Sequence, residues 1–254
     1  MHDGSGGDAN YGVIGPVYPR YRQPDPRIAA QILAALGDAR TVLNLGAGTG
    51  SYEPTDRTVT AVEPSAAMRA RRPAHLPTAI DAVAEKLPFY DESFDASMTT
   101  FSVHQWPDLM GGLREMRRVT RGPALVLTCD PDALDRFWLN DYSPEVIAVE
   151  ASRYPRVETI AAALVPRSAI DSVPIALDCT DGFQEAYYGR PEQLLDPGAR
   201  LACSAWSFVD AAAVERFEAH LRRDLESGAW DARFSTLRAQ PELDGALRLI
   251  VGLR

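Results

Sequence analysis

The stretch that most limits what this chain can fold into is Thr41-Val42-Leu43-Asn44-Leu45-Gly46-Ala47-Gly48-Thr49-Gly50. A short apolar, β-branched run meets three glycines at alternate positions. That pattern predicts a buried strand entering a tight turn without side chains. Glycine suits such a turn because the backbone can take positive φ, and because a ligand can approach closer than a Cβ allows. A second β-branched run, Thr58-Val59-Thr60-Ala61-Val62, ends in Glu63. In an open parallel sheet, an acid at the tip of the second strand stands beside the first glycine turn, where it can accept hydrogen bonds from both ribose hydroxyls of an adenosine. Glu63 lies 17 residues beyond Gly46, close to the ~20 expected between such a loop and its acid. The glycine spacing differs from the dinucleotide fingerprint by one residue, and no Lys-Ser/Thr follows as in a phosphate loop. A bare structural turn and a solvated strand-end acid are the plainer alternatives.

Composition narrows the class. The net charge of −9 over 254 residues argues against nucleic acid or an anionic membrane as the main partner, since both attract basic surfaces. Cys129, Cys179 and Cys203 are widely spaced, with no C-x-x-C pair, which predicts a reducing cytoplasm and no metal site. No apolar run approaches the ~18 residues of a membrane span. Met1 to Asn10 is Gly/Ser/Asp-rich and is expected to be disordered, without the features of a signal peptide.

With the later segments added, the chain resembles a family. Val42 to Gly50, then Ala61-Val62-Glu63-Pro64-Ser65 with Met68, then Leu87-Pro88-Phe89-Tyr90-Asp91-Glu92-Ser93-Phe94-Asp95, are similar to the successive motifs of class I S-adenosylmethionine-dependent methyltransferases. The nearest branch is the small-molecule group with the ubiquinone-biosynthesis C-methyltransferases, and the likeness spans roughly residues 18 to 130. It implies an α/β, three-layer α/β/α Rossmann-like sandwich with a seven-stranded, mostly parallel sheet whose last strand is antiparallel. The whole of 1–254 would form one domain, with helical lid insertions at 130–167 and 182–245 covering the acceptor.

The same resemblance implies S-adenosyl-L-methionine as cofactor and Tyr21, Arg22, Gly46, Ala47, Gly48, Gly50, Glu63, Pro64, Met68, Val83, Ala84 and Phe101 as its contacts. Tyr21 and Arg22 would fold over the methionine end, as an aromatic lid and a carboxylate partner; an arm packed on the surface is the alternative. Met68 would flank adenine or simply fill core. His104, in the segment that runs toward the acceptor in relatives, is the candidate general base, since an imidazole titrates near neutrality; a structural His is the alternative. His104, Trp106, Tyr142 and Tyr187 are the candidate acceptor contacts, with burial in the core the competing reading for the tyrosines.

Two departures stand out. Only Ser51 to Arg57 separate the glycine turn from the second strand, too few for the usual crossover helix. Val83 occupies the place where the family carries an adenine-binding acid. The expected activity is methyl transfer to a small molecule. A non-catalytic cofactor-binding module and a nicotinamide-dependent oxidoreductase are the alternatives.

Overall fold

The computed structural model describes residues 18–164 and 166–253; the expected disorder at 1–10 and the arm before Tyr18 lie outside them. Helix α1 (Tyr18–Tyr21) leads into α2 (Pro26–Leu36). Asp25 caps α2 by accepting from the Arg27 N–H, Pro26 fills the first turn, and Gly37 ends it at φ 55°, a positive φ that glycine adopts without strain. Ile28, Ile32 and Leu36 face inward, one stripe at helical spacing.

Strands β1 (Thr41–Leu45), β2 (Thr58–Val62), β3 (Ala96–Thr100), β4 (Ala124–Cys129), β5 (Arg167–Ser172) and β8 (Leu247–Leu253) form one sheet in the order β2-β1-β3-β4-β8-β5. The first four are parallel, and β8 runs antiparallel between β4 and β5. Short strands β6 (Ile175–Ala176) and β7 (Glu242–Leu243) pair separately. Side-chain alternation divides the core. Val42, Met98, Leu125 and Leu127 pack with α2 and the C-terminal helices on one face. Leu43, Leu45, Val126 and Ile250 pack with Leu113, Met116 and Ile160 on the other. The fold is therefore a Rossmann-like α/β sandwich with the expected reversed last strand.

The strand count is six, not seven. The segment Thr78-Ala79-Ile80, between β2 and β3, contributes one bridge, Val62 to Ile80, in place of a further strand. Ile80 N–H donates to the Ala61 carbonyl, and the Ile80 carbonyl accepts from Glu63. Pro77, which has no N–H to give a ladder, stands just before it, and the chain turns away at Asp81.

Between β1 and β2 there is no helix. Polar side chains brace the crossover instead. Glu53 is buried and forms an ion pair with Arg72 at 2.8 Å, the two side chains being 1% and 3% exposed. Asn44 Nδ2 donates to Glu53 at 3.0 Å, and Arg72 also donates to the Gly48 carbonyl. Tyr52 takes a left-handed φ of 63°. Its hydroxyl donates to Asp181 at 2.8 Å and accepts from the Asp25 N–H. The remaining helices are α3 (Ala66–Arg69), α4 (Leu109–Arg118), α5 (Pro144–Arg153), α6 (Val157–Ala163), α7 (Pro197–Leu201), α8 (Ala211–Ser227) and α9 (Ala229–Ala239). Helix α5 and the helices after β6 pack over one side of the sheet, and α6 packs beside α4 over the other.

Candidate functional site

The chain reverses direction across the sheet between β1 and β3, which in an open α/β sheet leaves a crevice at the strand ends. A cleft of about 770 Å³, counting its open mouth, lies there. Its walls include Gly46, Ala47, Gly48, Thr49 and Ser51 from the turn after β1, and Glu63, Pro64 and Met68 from the end of β2. Val83, Ala84 and Glu85 add a third side, and Phe101, Ser102, Gln105 and Trp106 a fourth.

The glycines have the geometry the turn needs. Gly46, Gly48 and Gly50 take φ of 62°, 51° and 97°. A Cβ on Gly46 would overlap Ser102 Oγ, which itself accepts from Trp106 Nε1 at 3.0 Å. Glu63 is 7% exposed. One of its oxygens accepts from the Gly48 N–H and the other from the Ser65 N–H, both at 2.8 Å. The two bonds fix the carboxylate against the loop and leave a lone pair on each oxygen for a ligand. Burial pushes its pKa up, against the pull of these two N–H groups and of Arg69 and Arg72. A ligand's paired hydroxyls would relieve that desolvation.

A second, smaller pocket of about 430 Å³, counting its open mouth, is lined by Arg22, Phe101, His104, Glu150, Tyr154, Phe183, Gln184, Ala202, Cys203 and Ser204. Phe101 lines both spaces. It sits at the end of β3 with φ 50°, a conformation costing a bulky residue about 1–2 kcal/mol. Its ring lies 4.9 Å from the Arg22 guanidinium and 5.3 Å from the Phe183 ring. Such strain marks a residue the surroundings hold in place for a purpose.

Of the expected cofactor contacts, Gly46, Ala47, Gly48, Glu63, Pro64, Met68, Val83, Ala84 and Phe101 line the first cleft. Gly50 lies behind it, against Leu76 and Arg72. Tyr21 stands apart, donating to Asp196 at 2.7 Å. Arg22 is in the second cavity, paired with Asp181. Trp106 lines the first cleft and His104 the second, its ring 4.5 Å from Tyr154. Tyr142 is buried, donating to Asp224 at 3.0 Å beside Trp138 and His220. Tyr187 is buried under Arg190 and against Gly182. Neither tyrosine lines either space. Glu150, Tyr154, Phe183, Gln184 and Cys203 were not anticipated as site residues; they come from three separated parts of the chain, and no local motif joins them.

The family model described as a methyltransferase domain matches residues 43–128, which span the glycine turn, Glu63 and Phe101. A structure described as a methyltransferase from an antibiotic biosynthesis pathway of Anabaena variabilis ATCC 29413 superposes with a TM-score of 0.85 at 28% identity, over 92% of this chain and 99% of that one. Residues 43–128 thus match a methyltransferase domain, and the chain shares the class I methyltransferase fold. A demethylmenaquinone methyltransferase of Mycolicibacterium paratuberculosis is 31% identical over 108 residues, 41% of this chain and 47% of that protein, so the match spans about half of the relative. A SAM-dependent methyltransferase from Thermotoga maritima, at 19% identity and a TM-score of 0.53 over 96% of this chain and 94% of its own, shares the fold.

S-adenosylmethionine is the cofactor that the methyltransferase-domain match implies, and the first cleft fits it. The bare turn at Gly46 and Gly48 suits the close approach of an extended ligand, and Glu63 keeps acceptor capacity where ribose hydroxyls would lie. When bound, the cofactor supplies a methyl group on a positively charged sulfur. The second cavity meets the first at Phe101.

Burial pushes Glu150 up to about 7, against the pull of the Arg153 and Arg22 charges. Such a carboxyl is a pH-dependent burden on the fold. Holding its proton tightly when folded, it contributes stability below its ordinary range near 4.5 and loses it as pH rises through about 7. Glu185, also raised to about 7 by burial, acts in the same window, so comparison with Glu150→Gln isolates Glu150. We expect the two proteins to melt together at pH 4 and the Gln variant to melt several degrees higher at pH 8, as thermal denaturation across that range will show.

Proposed function

We propose that this methyltransferase transfers the methyl group of S-adenosylmethionine to a small molecule seated in the second cavity. The observation that carries the reading is the adjacency of Glu63 to the Gly46–Gly50 turn, with a second pocket sharing the Phe101 wall. The loop amides and Glu63 hold the cofactor. Val83, Ala84 and Met68 would hold its adenine, and Phe101 would form the wall between it and the acceptor. Methyl transfer is an in-line displacement, so alignment of the two ligands across that wall supplies much of the rate. The segments 130–167 and 182–245 roof the acceptor and form one unit with the sheet. The antibiotic-pathway relative and the quinone-pathway relative both support a small organic acceptor. The charge of −9 fits neither nucleic acid nor an anionic membrane. Among the described residues no helix is long and apolar enough to cross a membrane. Three free, buried cysteines fit a cytoplasmic setting.

Calorimetric titration tests the cofactor assignment. S-adenosylhomocysteine is expected to bind with a dissociation constant on the order of micromolar, about −8 kcal/mol, and NADH at least ~100-fold more weakly. Equal binding of the two would point to an oxidoreductase. Transfer of label from methyl-labelled cofactor to a component of a small-molecule extract then separates an enzyme from a binding module.

A further inference from the structure

The second cavity contains polar atoms that the fold leaves unsatisfied. Glu150 Oε2 and both polar atoms of the Gln184 amide meet no hydrogen-bond partner among the described residues. Both residues line the cavity, at 9% and 3% exposure. Orphaned groups at this depth cost free energy that a ligand can recover. The walls around them include the aromatic rings of Phe101, Phe183 and Tyr154.

We infer that Glu150 and Gln184 are the recognition pair for the methyl acceptor, that the acceptor is a small uncharged molecule presenting a hydroxyl group, and that Glu150 is the base that takes its proton. This rests on the second cavity being the acceptor site. A hydroxyl has one donor and two acceptor positions. It can donate to Glu150 Oε2 and accept from Gln184 Nε2, leaving Gln184 Oε1 for a second donor on the same molecule. An ammonium group fits less well, because Arg22 lines the cavity and Arg153 acts on the same carboxylate. Arg153 is itself tied to the cavity wall, donating to Ser204 at 2.8 Å.

The groups around Glu150 suit a base. Tyr154, Cys129 and Cys203 are all held protonated by burial, Glu185 adds a second raised carboxyl, and Arg22 and Arg153 supply positive charge. In the step, the hydroxyl proton passes to Glu150, the oxygen forms the new O–C bond, and the electron pair of the breaking C–S bond stays on sulfur as a neutral thioether. Charge balances, because the positive sulfur and the carboxylate are both neutralised. Glu150 then returns the proton to solvent.

Three probes that differ in one group test this: 4-propylphenol, 4-propylaniline and 4-propyltoluene. Their affinities are measured by ligand-observed NMR, with and without saturating S-adenosylhomocysteine, on the wild type, Glu150→Met and Gln184→Met. The phenol is expected to bind the wild type about 10-fold more tightly than the toluene, the gain from satisfying buried polar atoms. That preference should vanish in Glu150→Met and shrink in Gln184→Met, with S-adenosylhomocysteine affinity unchanged in both. A preference for the aniline, a phenol preference that survives Glu150→Met, or no binding of any probe would overturn the proposal. Failure of S-adenosylhomocysteine to bind the wild type would instead sink the cofactor assignment, since the probe preference is read without it too. With an acceptor in hand, Glu150→Gln should lower kcat far more than it raises KM.

Discussion

Arg72→Met is expected to lower the stability of the protein by about 3–5 kcal/mol, the usual effect of removing one partner from a buried ion pair. Glu53 would remain 8% exposed as a residue, with the Asn44 amide as its remaining side-chain donor. The site would suffer as well. Arg72 bonds the Gly48 carbonyl, and Gly48 presents its N–H to Glu63. The glycine turn would therefore lose its brace, and S-adenosylhomocysteine affinity should fall alongside the melting temperature. Urea denaturation with a parallel calorimetric titration reads both quantities. A loss below ~1 kcal/mol would show that water replaces the guanidinium and that the pair is dispensable. The double variant Arg72→Met with Glu53→Gln should recover part of the stability, because the stranded charge is then gone.

Glu63→Ala is expected to weaken S-adenosylhomocysteine by ~10²–10³-fold while leaving the fold intact. Two hydrogen bonds from ribose hydroxyls to a charged acceptor amount to roughly 3–5 kcal/mol between them. The stability change should be small, because two opposing effects meet at this residue. The Gly48 and Ser65 N–H groups lose an acceptor, and the desolvation that pushes the carboxyl's pKa up disappears. Glu63→Gln should fall between, since an amide must turn its NH2 toward one of those backbone donors. Calorimetry on the three proteins settles the order; unchanged affinity in Glu63→Ala would remove the acid from the site.

The first cleft was legible in the sequence because its determinants are local. A strand, three glycines and an acid 17 residues after the first of them place the loop and Glu63 together once the sheet is parallel. The missing crossover helix was equally plain from chain length, but what replaced it was not. Nothing near Glu53 announces that Arg72 and Asn44 will enclose it. Thr78-Ala79-Ile80 forms no strand because β-branched Thr78 and Ile80 cannot outweigh Pro77 and the early bend at Asp81. Arg22 was expected at the methionine end of the cofactor; Asp181, remote in sequence, holds it in the neighbouring cavity. Tyr142 and Tyr187 were read as walls of an acceptor site, yet large aromatic rings are also what core packing recruits first. Their hydroxyl and ring partners keep them there.

The single ring of Phe101 between the two spaces has an evolutionary reading. Everything on the cofactor side lies within or next to the stretch 43–128 that the family model matches. In the second pocket, the proposed acceptor side, Glu150, Tyr154, Phe183, Gln184 and Cys203 come from beyond it. Descendants of such a chain can exchange one set of residues for another and inherit the donor machinery untouched, so selectivity is free to drift while the reaction stays the same. A laboratory seeking a new acceptor would diversify those positions first and leave the turn alone.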